Sequence, residues 1–317
     1  MRDVTEGADP DARSGQLSAL IAAVLWGTSW VTIAVALTDV QPLALSLVRG
    51  LLQAALLGGA IVFLIGRYPR LLSARMSWRL DRRQLVILAG LGLLGGSFNV
   101  GQAFATDLAG PSVAALVGTQ YPLVAALLAP RILGERLTRR RVATLAVTSA
   151  GLILLAVPLL GESAQLGGLA LAAMAAAAFG LYLVMSPLLM RRFDLPPLSP
   201  TLAVFLGAAV LSSPVLLAGG SLFASLDVGT VSALAWLVVG AGILPLALVE
   251  FAVRTTPTIR VTPYLFVTPI VGAVLGMWLL SDRLLIGQMA GAALAVAGVA
   301  LATSERDSLR DVPAVVA

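Results

Sequence analysis

Apolar residues run in long unbroken blocks, and the polar positions gather between the blocks rather than alternating with them. Ten blocks approach or exceed the ~20 residues that an α-helix needs to cross a hydrocarbon layer of ~30 Å. They cover residues 17–37, 42–65, 84–105, 111–130, 142–160, 166–188, 199–219, 230–253, 260–280 and 285–303. The pattern predicts an all-α, polytopic membrane protein with ten transmembrane helices. Turn-forming residues separate the blocks, at Asp39 to Pro42, at Ala109-Gly110-Pro111 and at Leu195-Pro196-Pro197. Two connections are longer, 66–83 and 131–141.

Composition agrees. Of 317 residues, 59% are apolar and 12% charged, against roughly 45–50% and about 25% in soluble domains. The mean hydropathy is +0.97. All 21 basic residues are arginine, and their distribution sets an orientation, because cytoplasmic loops retain positive charge. With the N-terminus inside, every arginine but Arg49 and Arg283 falls in a cytoplasmic segment, while Asp39, Asp107, Glu162, Asp227 and Asp282 fall outside. Both termini are therefore expected in the cytoplasm of a cell with this protein in its inner membrane, as tails of residues 1–16 and 304–317. The first residues, with Asp3, Glu6, Asp9 and Asp11 against Arg2 and Arg13, do not resemble the basic start of a signal peptide. The first block reads as a retained span.

The absence of histidine and cysteine removes Ser-His-Asp and Cys-His nucleophiles, zinc sites, iron–sulfur clusters and disulfides. Without lysine there is no Walker A motif. No cofactor, no metal and no enzymatic activity are expected. The net charge of +5 points to nucleic acid only when the arginines form one patch, and here they sort by loop, where they meet anionic lipid heads. Gly90, Gly92 and Gly95 satisfy G-x-G-x-x-G, but inside an apolar span with no preceding strand they are packing residues, not a dinucleotide fingerprint.

Residues 122–154 align without gaps on 269–301, with twelve identities in 33 columns. The pairs include Pro122 with Pro269, Arg136 with Arg283 and Gly151 with Gly298. Upstream, Gly95 pairs with Gly242, and Trp26-Gly27 matches Phe179-Gly180. Each copy holds five spans, 17–160 and 166–303. An odd number of spans makes the second copy enter from the opposite side, so two inverted five-helix repeats share one core.

The segments LWGTSW at 25–30, TQYPLVAALLAPRILGERL at 119–137 and VTPIVGAVLGMWLLSDRLLIGQMAGAALAVAGVAL at 267–301 carry a resemblance. Over about 17–303 the chain resembles the drug/metabolite transporter superfamily with tandem EamA-type repeats. The second copy departs from that pattern, with Ser281 and Asp282 in place of glycine and glutamate. The resemblance implies a secondary carrier, often an exporter of amino acids, other metabolites or toxic compounds, with spans one, three, four, six, eight and nine around a cavity. Four-span multidrug relatives couple to protons through a glutamate in the first span. No acid occupies that span here.

Rise per residue puts Pro122, Pro269, Gly27, Gly95, Gly180 and Gly242 within roughly 5 Å of the bilayer midplane. Proline removes an amide and clashes with the carbonyl four residues back. Interrupted helices at matching positions in two halves point to a transporter's binding site, so these six are expected as kinks or hinges. Close helix packing is the alternative use of the glycines. At the same depth lie candidate substrate ligands: Trp26, Trp30, Asn99, Gln102, Gln120, Tyr121, Tyr182 and Thr268. Packing of the aromatics and interhelical hydrogen bonds of the amides are the competing roles.

Two charges stand apart. Glu250, about 12 Å from the midplane, suits either proton coupling or an i, i+4 pair with Arg254 at the cytoplasmic interface. Arg49, about 7 Å from the midplane, is expected to snorkel outward, to pair with Asp39 or Asp107, or to hold an anionic group. The expected function is export of a small metabolite such as an amino acid, by alternating access around a midplane cavity. Import, multidrug-type efflux and a non-transporting membrane receptor or structural role are the rivals. The partners are a small-molecule substrate and membrane lipid. The sequence leaves the oligomeric state open, and a monomer is compatible with it.

Overall fold

Proline starts several of the helices, at positions where its missing N–H is one of the unbonded amides of the first turn. Helix α1 (Pro10–Ala36), α2 (Pro42–Arg67) and α4 (Pro111–Gly118) all begin this way. The computed structural model describes residues 10–67, 80–133, 163–196, 198–218, 222–225, 227–256, 261, 264–265, 267–281 and 285–303, with isolated helical positions between 143 and 154. The fifth span at 142–160, the arginines at 139–141, Asp282, Arg283, the side chains of Pro122 and Arg254, and both tails' ends lie largely outside them.

The remaining helices are α3 (Arg82–Ala109), α5 (Tyr121–Leu133), α6 (Ser163–Arg192), α7 (Ser199–Ser212), α8 (Val228–Val238), α9 (Leu244–Thr255), α10 (Val267–Leu279) and α11 (Ile286–Thr303). A 3-10 turn, Ser213–Leu217, extends α7. Among the described residues six helices are long and apolar enough to cross a membrane: Ser14–Ala36, Pro42–Arg67, Arg82–Ala109, Gln165–Arg192, Ser199–Leu217 and Val228–Ala252. The first helix starts at Pro10, earlier than the apolar block beginning at 17. Large apolar side chains remain exposed on the outer faces, among them Phe63, Val62, Leu217, Trp278 and Ile286. In water such a surface is unfavourable; in lipid it is solvated. The protein is a multi-pass, all-α membrane protein.

Two interruptions have local causes. Thr119 and Gln120 separate α4 from α5 just before Pro122, a residue type with no amide hydrogen to return to the preceding turn. A π-turn, Val239–Ile243, joins α8 to α9. It precedes Pro245, which cannot donate to Ala241 and displaces the bonding by one residue. The repeat partner of Pro245 is Phe98, and α3 accordingly runs unbroken. Helices α1, α3 and α6 also pass unbroken through Gly27, Gly95 and Gly180. These three are close-packing positions rather than kinks: a Cβ at Gly27 would lie 2.5 Å from Val271 Cβ, at Gly95 2.5 Å from Val204 Cγ2, and at Gly180 2.6 Å from Val124 Cβ. At Pro269, α10 is helical from Val267 onward.

Packing crosses between the halves. Helix α3 lies along α6 and α7, α1 along α9 and α10, α2 along α7, and α5 along α6. Exchanging spans one to five for six to ten maps α1 against α9 onto α6 against α3, and α1 against α10 onto α6 against α5. On one side of the bundle, Val40 forms an isolated antiparallel bridge with Phe223, and Ala224 N donates to Asp39 O at 2.7 Å. At the opposite end, Asp81 caps α3 in a reciprocal capping box with Gln84, whose Nε2 donates to Phe193 O at 2.9 Å. The turn between α3 and α4 needs Gly110, whose φ of 77° is disfavoured for a residue with a Cβ.

Candidate functional site

Helices α1, α2, α3, α6, α7 and α10, the α4–α5 break and the π-turn with its following helix surround a cavity of about 30 Å³. That is room for about two water molecules. Trp26, Trp30, Phe98, Tyr121 and Phe179 give it an aromatic wall. The rings interlock: Phe98 stacks on Phe179 at 4.7 Å between centroids, and Trp26 meets the edge or face of Phe179 at 5.7 Å and Tyr121 at 6.1 Å. Trp30 completes the set against Phe98 at 6.4 Å. Such perpendicular and offset arrangements suit the ring quadrupoles and stiffen the wall.

The break in the fourth span makes room for this wall. A Cβ at Gly118 would collide with the Trp30 ring, and Gly272 packs beside the same indole. Side chains bond the backbone locally at the break: Thr119 Oγ1 donates to Ala115 O at 2.5 Å, and Gln120 Nε2 to Leu116 O at 2.8 Å. At the π-turn the partner comes from another helix. Gln53 Nε2 donates to Leu237 O at 3.0 Å and Val238 O at 3.4 Å, and its amide occupies the space a side chain at Gly242 would need. Backbone groups released in lipid are thus re-satisfied inside the protein.

The polar side is a chain of hydrogen bonds. Arg49 Nη1 donates to Gln102 Oε1 at 3.1 Å, Gln102 Nε2 to Ser29 Oγ at 2.8 Å, and Ser29 Oγ to Trp26 O at 2.6 Å. Asn99 lines the cavity, and no side-chain hydrogen bond engages its amide among the described residues. The Tyr121 hydroxyl faces Thr268, which also lines the cavity.

Of the expected ligands, Trp26, Trp30, Asn99, Gln102, Tyr121 and Thr268 thus meet in one place. Gln120 and Tyr182 are buried but do not line it; Gln120 serves its own helix and Tyr182 stacks on Phe179 at 5.4 Å. For Arg49 two of the three expected roles drop out. It does not snorkel or reach Asp39 or Asp107; it is 5% exposed, lines the cavity and bonds Gln102. Asp39 instead accepts from Ser225 Oγ and Thr230 Oγ1, each at 2.7 Å. Those hydrogen bonds, Thr230 first, hold its carboxyl below the ordinary value against a smaller opposing effect of desolvation. Glu250 is 7% exposed and accepts from the Thr201 hydroxyl; the side chain of Arg254, its expected partner, lies outside the described residues.

Sequence reasoning missed Ser29, Phe98, Thr119 and Phe179 in the lining, and Arg49, Val204 and Phe205 bring in spans two and seven as well. Gln53 was also missed. Its signal was an amide one helical turn after Arg49 in an otherwise apolar stretch, sharing that face.

Comparison with known proteins bears on the fold and the family. A solved structure titled "Crystal structure of protein" matches with a TM-score of 0.64 and 22% identity, covering 92% of this chain and 96% of that one. That likeness concerns the fold alone. No curated protein matches the chain. The family model for EamA-like transporters matches twice in tandem, over residues 13–157 and 166–304, and the chain belongs to the EamA-like transporter family, membrane transporters of the drug/metabolite type.

Proposed function

We propose that the protein is a secondary carrier that exports a small metabolite, such as an amino acid, across the inner membrane by alternating access to the aromatic-walled cavity. One observation carries this reading: one cavity receives residues from both tandem stretches and sits against two helix interruptions, Thr119–Gln120 and Val239–Ile243. With room for about two waters, the cavity in this conformation is too small for a metabolite. Substrate entry requires the helices to part, and interrupted helices bend at lower cost than regular ones.

The two halves are read as inverted five-helix repeats, residues 17–160 and 166–303. The repeat offset supports this, as does the exchange of helix pairings described above. The loops that meet do so by side: those at Asp39 and Phe223 both belong outside in the arginine-based orientation, whereas the Gln84–Phe193 contact belongs to the cytoplasmic side with both termini.

The test is flux. Proteoliposomes loaded with radiolabelled amino acids, aromatic acids and nucleosides are followed for release, with Gly118→Leu, which drives a side chain into Trp30, as the inactive control. Saturable release by the native protein only is expected. Binding without release from any member of the panel defeats the carrier reading.

A further inference from the structure

We infer that the cavity, once the helices part and widen it, is a site for a small monocarboxylate with a ring or other apolar body, held by Arg49. This rests on the carrier reading and deepens it, replacing the amino acid as the example of a small metabolite by a carboxylate that carries no ammonium. Arg49 is 5% exposed, lines the cavity, and has no carboxylate partner among the described residues. Its hydrogen bond is to a neutral amide, Gln102 Oε1, and its Nε has no partner among the described residues. A buried cation without a counter-ion is costly. Five N–H donors in a rigid fork favour a planar oxyanion bound by two of them.

Charge balance narrows the class further. None of the cavity-lining residues is acidic or a second cation. One carboxylate neutralises the site. A phosphate monoester dianion would leave excess negative charge, and the ammonium of a zwitterion would meet no carboxylate in the lining. The ligand's body would displace nothing charged: Trp26, Trp30, Phe98, Tyr121 and Phe179 form the other wall. Gln102 is a positioning residue, its amide fixed by Ser29 so that its oxygen faces the guanidinium.

The experiment uses the full-length protein in detergent. Quenching of its tryptophan fluorescence, with Trp26 and Trp30 in the wall, is titrated with 3-phenylpropionate, 3-phenylpropionamide and phenylalanine. The acid is expected to bind about tenfold to hundredfold more tightly than the amide, the range for hydrogen bonds to charged groups, and more tightly than the zwitterion. Arg49→Gln abolishes that preference. Gln102→Glu supplies the missing counter-charge from within and does the same. Thermal unfolding of each variant verifies folding, and removal of an unpaired buried charge is not expected to lower the midpoint. Retention of the acid preference by a folded Arg49→Gln, or no saturable binding of the acid by the native protein, overturns the inference. Flux separates the two readings: acid-selective binding without transport keeps this assignment and sinks the carrier, whereas transport indifferent to Arg49→Gln does the reverse.

Discussion

Gln53 Nε2 donates to the Leu237 carbonyl at 3.0 Å, so an amide in the second span closes a backbone gap opened in the eighth. The bond joins the two tandem stretches at the π-turn. Replacing Gln53 by Leu leaves the Leu237 and Val238 carbonyls without this donor in an apolar interior. A loss of about 1–3 kcal/mol follows from an unsatisfied buried group, read as a lowered unfolding midpoint in detergent. An unchanged midpoint would mean that water or backbone adjustment serves those carbonyls instead.

Gly118 touches the Trp30 ring at the break in the fourth span. Gly118→Ala must displace the indole, at a cost on the order of 1–3 kcal/mol for overpacking, and should distort the wall seen by ligand. The measurement is the tryptophan emission maximum together with the unfolding midpoint. No change in either would show that the ring yields freely.

Asp39 is held by Thr230, Ser225 and Thr38 at the junction of the two loops. Its carboxyl is depressed below the ordinary 3.8 in this closed form. The closure is therefore favoured above that value, and its advantage disappears as pH falls through the lowered value. The chain has no cysteine, so a single Phe223→Cys can report opening through thiol labelling after brief acid exposure. Labelling should rise with acidification in that protein and lose its pH dependence when Asp39→Asn is added. A pH-independent rate in both would remove Asp39 from the closure.

Glu250 accepts from Thr201 and lies outside the cavity lining. Glu250→Gln keeps an acceptor for that hydroxyl, so ligand affinity is expected to stay within about twofold, while Glu250→Leu costs about 1–3 kcal/mol by stranding Thr201. Proton-driven transport abolished by Glu250→Gln alone would make this residue the coupling site.

Much of the site was legible because depth is a one-dimensional property. Counting residues from the ends of a span is enough to bring Trp26, Asn99, Tyr121 and Thr268 to one level, and the cavity collects them. Facing is harder to count. Gln120 and Tyr182 have comparable depth but turn to other neighbours. Gly95 and Gly242 are repeat partners, yet only the second sits in an interruption, since Pro245 has Phe98 as its counterpart.

The sequence by itself determined the membrane class, the helical blocks and the tandem repeat, because solvation in lipid and hydrogen bonding within a helix are satisfied locally along the chain. Only the tertiary structure decided that Arg49 meets Gln102 rather than an acid, and that Gln53 closes the turn at Leu237. Those partners lie 53 and 184 positions apart. A buried polar group bonds whatever the packing of helices brings beside it, and no periodicity in the chain records that choice.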